Sequence, residues 1–119
     1  MNYRTTELLE RTFYFGVNIL RFLNKLPYSP VYKSAILQLS RSSISIGANY
    51  EEAQGAVSKR DFNYRIGVSY KETRESEYWI RILASLYQDD SYKQEFETYK
   101  NEANELRRIF AAIKLATNK

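Results

Sequence analysis

Apolar and small residues recur along this chain at alternating intervals of four and three, in four separate stretches. The first runs Leu8, Thr12, Phe15, Ile19, Phe22, Leu26. The second runs Tyr32, Ile36, Leu39, Ser43, Ile46, Tyr50, Ala53. The third is Phe62, Ile66, Ser69, Thr73, Ser76, Ile80, Leu83, Tyr87. The fourth is Tyr92, Phe96, Tyr99, Ala103, Leu106, Phe110, Ile113. Such intervals average about 3.5 residues, close to one α-helical turn, so each stripe stays on one helix face. The pattern predicts an all-α chain folded as an antiparallel up-down-up-down four-helix bundle, one domain over residues 1–119.

Helix boundaries are read from capping chemistry. The first helix is expected from Thr6, as N-cap, to Lys25, ahead of Pro27. The second is expected to open with Ser29 as N-cap and Pro30 at the first helical position. It should run to Gln54 and close on Gly55 as a left-handed residue. Gly47 inside it implies a close helix contact, because a mid-helix glycine costs about 1 kcal/mol relative to alanine. The third helix should start at Ser58 as N-cap with Asp61 completing a capping box, and end near Gln88. The fourth should start with Ser91 as cap and continue to Ala116. All three connections are short, which makes sequential helices antiparallel neighbours.

Ser43, Gly47, Ser69, Thr73 and Ser76 bring small and hydroxyl residues to the middle of the bundle. Close packing, with hydroxyls bonded to carbonyls of the preceding turn, is the expectation; a polar central cavity is the alternative.

At 119 residues, 44% of them hydrophobic, the chain can bury a core unaided. It has no cysteine and no histidine. That leaves no disulfide, no thiolate or imidazole metal ligand and no histidine base. No metal or cofactor is expected, nor a glycine-rich phosphate loop or nucleophile motif. Glu72, Glu75 and Glu77 lie among Lys71, Arg74 and Arg81. They read as a solvated face, with Glu77–Arg81 and Glu102–Lys100 as ion pairs. An enzyme is therefore not expected. Charges interrupt the N-terminal apolar residues and no membrane-length apolar run follows, so a cytoplasmic, soluble protein is the expectation.

The net charge is +4. In an up-down bundle the start of helix 1, the end of helix 2, the start of helix 3 and the end of helix 4 share one pole. The sequence assigns Lys59, Arg60, Arg65, Arg107, Arg108 and Lys114 to that pole, with Arg4, Arg11 and Lys119. Glu7, Glu10, Glu51, Glu52, Asp61 and Glu105 are placed with them. The last fourteen residues hold four basic residues and no acidic one. Lys59 and Arg60 oppose the dipole of their own helix and attract anions. The pole is thus a candidate phosphate-backbone contact for RNA or DNA, against the plainer reading of a solvated end.

Aromatic residues make up 15%, eleven of them tyrosines. Tyr14, Tyr64, Tyr70, Tyr78 and Trp79 lie off the stripes. Helix 1 carries a second stripe, Leu9, Phe13, Gly16, Leu20, Leu23, which one core cannot easily cover. Leu9, Phe13, Leu20, Tyr78 and Trp79 are therefore candidate interface residues, and self-association is expected.

Residues 40–62, SRSSISIGANYEEAQGAVSKRDF, and 71–83, KETRESEYWIRIL, resemble the four-helix bundle proteins of intervening sequences in bacterial 23S rRNA genes. The motif maps onto Arg41, Ser42, Asn49, Glu52, Gly55 and Ser58. Many members have an apolar residue or alanine at the position of Glu51 and a Glu-Gly pair after alanine, where this chain has Glu52-Ala53-Gln54-Gly55. The family is also similar to the accessory variability determinant of diversity-generating retroelements. The resemblance implies a ring-like homopentamer and leaves function open; the retroelement relative is a basic pentameric barrel that binds a reverse transcriptase and nucleic acid, which makes a reverse transcriptase, another protein, RNA or DNA possible partners here. The resemblance supplies no catalytic residue. Physically, Asn49 and Glu52 are read as tying the end of helix 2 to a neighbouring helix or subunit, and Gly55 and Ser58 as shaping the turn. The expected function is a non-enzymatic oligomeric module binding nucleic acid or a ribonucleoprotein through the basic pole. A protein–protein adaptor with no nucleic-acid role is the alternative.

Overall fold

A computed structural model describes residues 3–117 and places four helices in chain order. These are α1 (Tyr3–Leu23), α2 (Lys33–Gln54), α3 (Lys59–Leu86) and α4 (Asp90–Thr117). They form an antiparallel up-down-up-down bundle of 45 × 25 × 20 Å. Each helix packs along the next, and α4 returns more lightly against α1. No described helix is long and apolar enough to cross a membrane.

The stripes form the core. Ile19, Leu39, Ile46, Ile66, Leu83, Ala103, Leu106 and Phe110 are completely buried. Leu26 stays buried although α1 has already ended.

Several ends differ from expectation. Thr6 lies inside the first turn of α1 and does not cap it. The helix closes at Leu23, and Lys25 and Leu26 donate to Phe22 O and Leu23 O in tight i→i+3 bonds. Before α2, Ser29 Oγ accepts from Tyr32 N–H at 3.4 Å, a cap-like bond. Regular helix begins only at Lys33, one turn later than expected. Gly55 is not left-handed: at φ −100° and ψ 14° it bonds back to the last carbonyls of α2. Ala56 N–H donates to Ala53 O, so a tightened right-handed turn closes the helix. At α3 half of the box forms: Ser58 Oγ accepts from Asp61 N–H at 3.0 Å, whereas Asp61 Oδ2 reaches past the cap residue and accepts from Val57 N–H at 3.2 Å. At α4 the cap is Asp89, not Ser91. Its carboxylate accepts from Ser91 N–H at 2.9 Å, a bond that holds the Asp89 pKa below the usual value.

The hydroxyl centre is packed. Ser69 Oγ donates across to Ile46 O and Ser76 Oγ to Ser42 Oγ, both at 2.9 Å, tying α3 to α2. Thr73 and Ser43 bond to Tyr70 O and Ser40 O on their own helices. Two of these bonds cross between helices, beyond the within-helix bonding expected.

Glycines set the α1–α2 approach. A Cβ on Gly47 would lie 3.2 Å from Thr12 Oγ1, and one on Gly16 would lie 3.3 Å from Ile44 Cγ2. Each helix therefore presents a notch to the other.

Ion pairs pin the α1–α4 seam. Arg11 grips Glu102 with two bonds of 2.7 Å and reaches Glu105 at 3.1 Å; Lys25 pairs with Glu95 at 2.6 Å. Two expected pairs are replaced. Glu102 pairs with Arg11 rather than Lys100, which bonds Glu97, and Glu77 pairs with Arg107 rather than Arg81. In both cases a neighbouring helix brings an arginine closer than the local partner.

Candidate nucleic-acid interface

The four helix ends assigned to one pole do meet. Leu8 of α1, Tyr50 of α2, Phe62 of α3 and Ile109 and Ile113 of α4 line one open cleft of about 560 Å³. Arg4 and Arg11 stand on its walls. Burial raises the Tyr50 pKa, partly offset by hydrogen bonds with Thr5 and Gln54. Lys59 and Arg60 are the first two residues of α3 and both are exposed. Lys119 lies outside the described residues.

Lys114 lies in the last turn of α4, at this end, and the other cations spread away from it. Arg65 Nη1 donates to Asn49 Oδ1 at 3.0 Å, and Asn49 Nδ2 donates to Ser45 O at 2.9 Å. Arg65 thus joins α3 to α2. Its guanidinium also lies 5.6 Å from the Tyr64 ring centre. Arg107 and Arg108 precede the end of α4 by ten and nine residues, which puts them about 15 Å short of the pole. Arg107 Nε lies 3.3 Å from Glu77 on α3, and Arg108 is exposed. Lys114 Nζ sits 5.4 Å from the Tyr70 ring centre. The six basic candidates are therefore distributed: Lys59, Arg60 and Lys114 at the helix ends of the pole, Arg65 between α2 and α3, and Arg107 and Arg108 further along α4.

A second basic feature lies along the α3–α4 seam. Arg74, Glu77, Tyr78, Arg81 and Arg107 line a groove of about 330 Å³. Arg74 Nη1 donates to Tyr70 Oη at 3.5 Å, with the guanidinium 6.0 Å from that ring's centre. Local spacing alone assigns Arg74 and Arg81 to an ion-paired surface and so misses this groove. The signal available was their separation by seven residues, with Tyr70 and Tyr78 interleaved.

Of the motif positions, Ser42 is buried and bonded to Ser76, Arg41 and Glu52 are exposed, and Ser58 caps α3. Gly55 has room for a side chain, its nearest neighbour being Glu52 O at 3.8 Å. Burial raises the Glu72 pKa, reinforced by the charge and hydrogen bond of Glu75 and opposed by Lys71 and Arg41.

The apolar candidates divide. Leu9 and Trp79 are half-buried against the core, whereas Phe13, Leu20 and Tyr78 are exposed. Phe13, Leu20, Val17 and Ile44 line a shallow α1–α2 groove of about 390 Å³. The second stripe of α1 is thus shared: Leu23 is buried, Gly16 meets α2, and Phe13 and Leu20 face out.

Comparison with known proteins now adds identity. The family model of the 23S rRNA-intervening sequence protein matches residues 4–112. A solved structure, of a protein of unknown function from the S23 ribosomal protein family of Bacteroides thetaiotaomicron VPI-5482, is similar at a TM-score of 0.76. The two are 28% identical, over 89% of this chain and 96% of that one. No curated protein matches the chain.

Proposed function

The chain belongs to the 23S rRNA-intervening sequence protein family, and from that premise we propose that it is a non-enzymatic, self-associating module that binds nucleic acid or a ribonucleoprotein through a basic surface. One observation carries the reading. Arg60, Arg74, Arg81 and Arg108 are exposed and form no ion pair among the described residues. Uncompensated arginines attract phosphate backbones through counterion release. Lys59 and Arg60, exposed at the start of α3, add two further cations to this surface. The assembly is a homopentamer in this reading, in the cytoplasm, with the exposed Phe13 and Leu20 face as a contact between copies.

The test is a fluorescence-anisotropy titration of structured RNA and duplex DNA at two salt concentrations, with light scattering on the same sample. Binding at micromolar levels or tighter that weakens with salt supports the reading. A well-formed oligomer that binds neither polymer refutes it.

The exposed apolar face favours a second reading, an adaptor for another protein. Phe13 is 61% and Tyr78 53% exposed. Association would then tolerate salt and fail in Phe13→Ala or Tyr78→Ala.

A further inference from the structure

We infer that the α3–α4 groove is a binding site for single-stranded nucleic acid, with phosphates on Arg74, Arg81 and Arg107 and an unstacked base on Tyr78. This rests on the nucleic-acid reading above and replaces the pole with a defined site and a defined form of ligand.

Charge comes first. Three guanidiniums line the groove against one carboxylate, Glu77. That carboxylate is already shared by Arg107 at 3.3 Å and Asn104 at 3.5 Å. Arg74 and Arg81 therefore keep their charge uncompensated. They are seven residues apart on α3, which is two turns, so they share a face about 10 Å apart along the axis. The pole is less suited: Lys59 and Arg60 are followed at once by Asp61, and Glu51 and Glu52 lie in the last turn of the adjoining α2.

Organisation comes second. Tyr70 holds two cations against its ring, Arg74 at 6.0 Å and Lys114 at 5.4 Å. Cation–π contacts of this kind limit side-chain freedom before any ligand arrives, which lowers the ordering cost on binding. Cations from both helices thus line a track from Lys114 past Arg74 to Arg107 and Arg81.

The aromatic surface decides the form of nucleic acid. Tyr78 is exposed at the groove, and its ring is braced edge-on by Trp79, 5.1 Å away at 78°. Trp79 is itself packed against the core. A cationic groove with a braced, open ring is the arrangement that single-strand binders use to follow the backbone and stack bases. A duplex keeps its bases stacked inside, out of reach of a ring on the groove wall.

The test titrates the full-length oligomer into fluorescein-labelled oligouridylate, oligothymidylate and an RNA duplex at two salt concentrations. The wild type should bind the single strands more tightly than the duplex; the two single strands distinguish RNA from DNA. Arg74→Ala with Arg81→Ala should weaken binding about tenfold and lower the salt slope by about two. Tyr78→Ala should weaken it several-fold without changing the slope, and Glu77→Gln should leave it equal or tighter. Lys59→Ala with Arg60→Ala should weaken binding by less than the groove pair does. Circular dichroism checks each variant, and Arg74→Gln with Arg81→Gln replaces the alanine pair if helicity falls. Wild-type affinity in the groove variant, with loss in the pole variant, overturns the groove while the nucleic-acid reading survives. Tighter binding of the duplex overturns the single-strand assignment. No binding of any polymer by the wild type overturns both and leaves a protein partner.

Discussion

Thr12 of α1 rests on the bare backbone of Gly47 in α2. A Cβ there would stand 3.3 Å from both the Thr12 carbonyl carbon and its Cβ. The backbone atom cannot swing aside, so the helices would have to part. Gly47→Ala gains about 1 kcal/mol of helix propensity but incurs overpacking of about 1–3 kcal/mol. A net loss of about 1 kcal/mol is expected in urea unfolding, and more for Gly47→Val. An alanine variant more stable than wild type would show that the α1–α2 contact is soft.

Glycine is not required everywhere it occurs. A methyl group added at Gly67 would meet nothing within 4 Å, and Gly55 has a right-handed conformation. Gly67→Ala should stabilise by about 0.5–1 kcal/mol, and Gly55→Ala should be neutral or slightly stabilising. A left-handed Gly55 would instead make alanine costly there. Thermal unfolding of the two variants separates these cases.

The Arg11–Glu102 pair is bidentate and only partly solvent-exposed, and its hydrogen bonds raise the Arg11 pKa. It spans α1 and α4, the most lightly packed pair of helices. Glu102→Gln should cost about 1–2 kcal/mol, since charge-assisted bonds across a half-buried seam exceed an open surface pair. A double-mutant cycle with Arg11→Met measures the coupling. Additive losses would mean that the seam is held without this pair, by the Phe22 cluster with Phe96 and Tyr99 and by Lys25–Glu95.

Glu72 gives a pH dependence. Burial first, then Glu75, raises its pKa, so the folded protein holds the Glu72 proton more tightly than the unfolded chain. Its contribution to stability is fully present below the ordinary glutamate value and is lost as pH rises through the raised one. Glu72→Gln should therefore stabilise at neutral pH, with the advantage shrinking toward acid. An advantage that persists unchanged below the ordinary glutamate value would contradict the sign.

The fold was legible because one face does the burying. Among the described residues every buried side chain except Leu23 and Ser42 lies on one of the four stripes. Helix ends were less legible, since Ser29 caps a turn that only becomes regular helix at Lys33, and Asp89 takes the cap that Ser91 was expected to provide. The basic site was least legible. Periodicity fixes which face of a helix points inward, but not which residue of the next helix lies level with it. That register gives Glu77 to Arg107 and leaves Arg81 without an ion pair among the described residues.

Ultraviolet cross-linking of a uridine-rich single strand to the full-length protein, with the adducts mapped by mass spectrometry, bears on the groove without any mutation. Adducts are expected in the segment from Tyr70 to Arg81, centred on Tyr78, and should disappear at high salt. Adducts confined to the pole around Lys59 and Tyr64, or to the Phe13 face of α1, would overturn the groove as the nucleic-acid site.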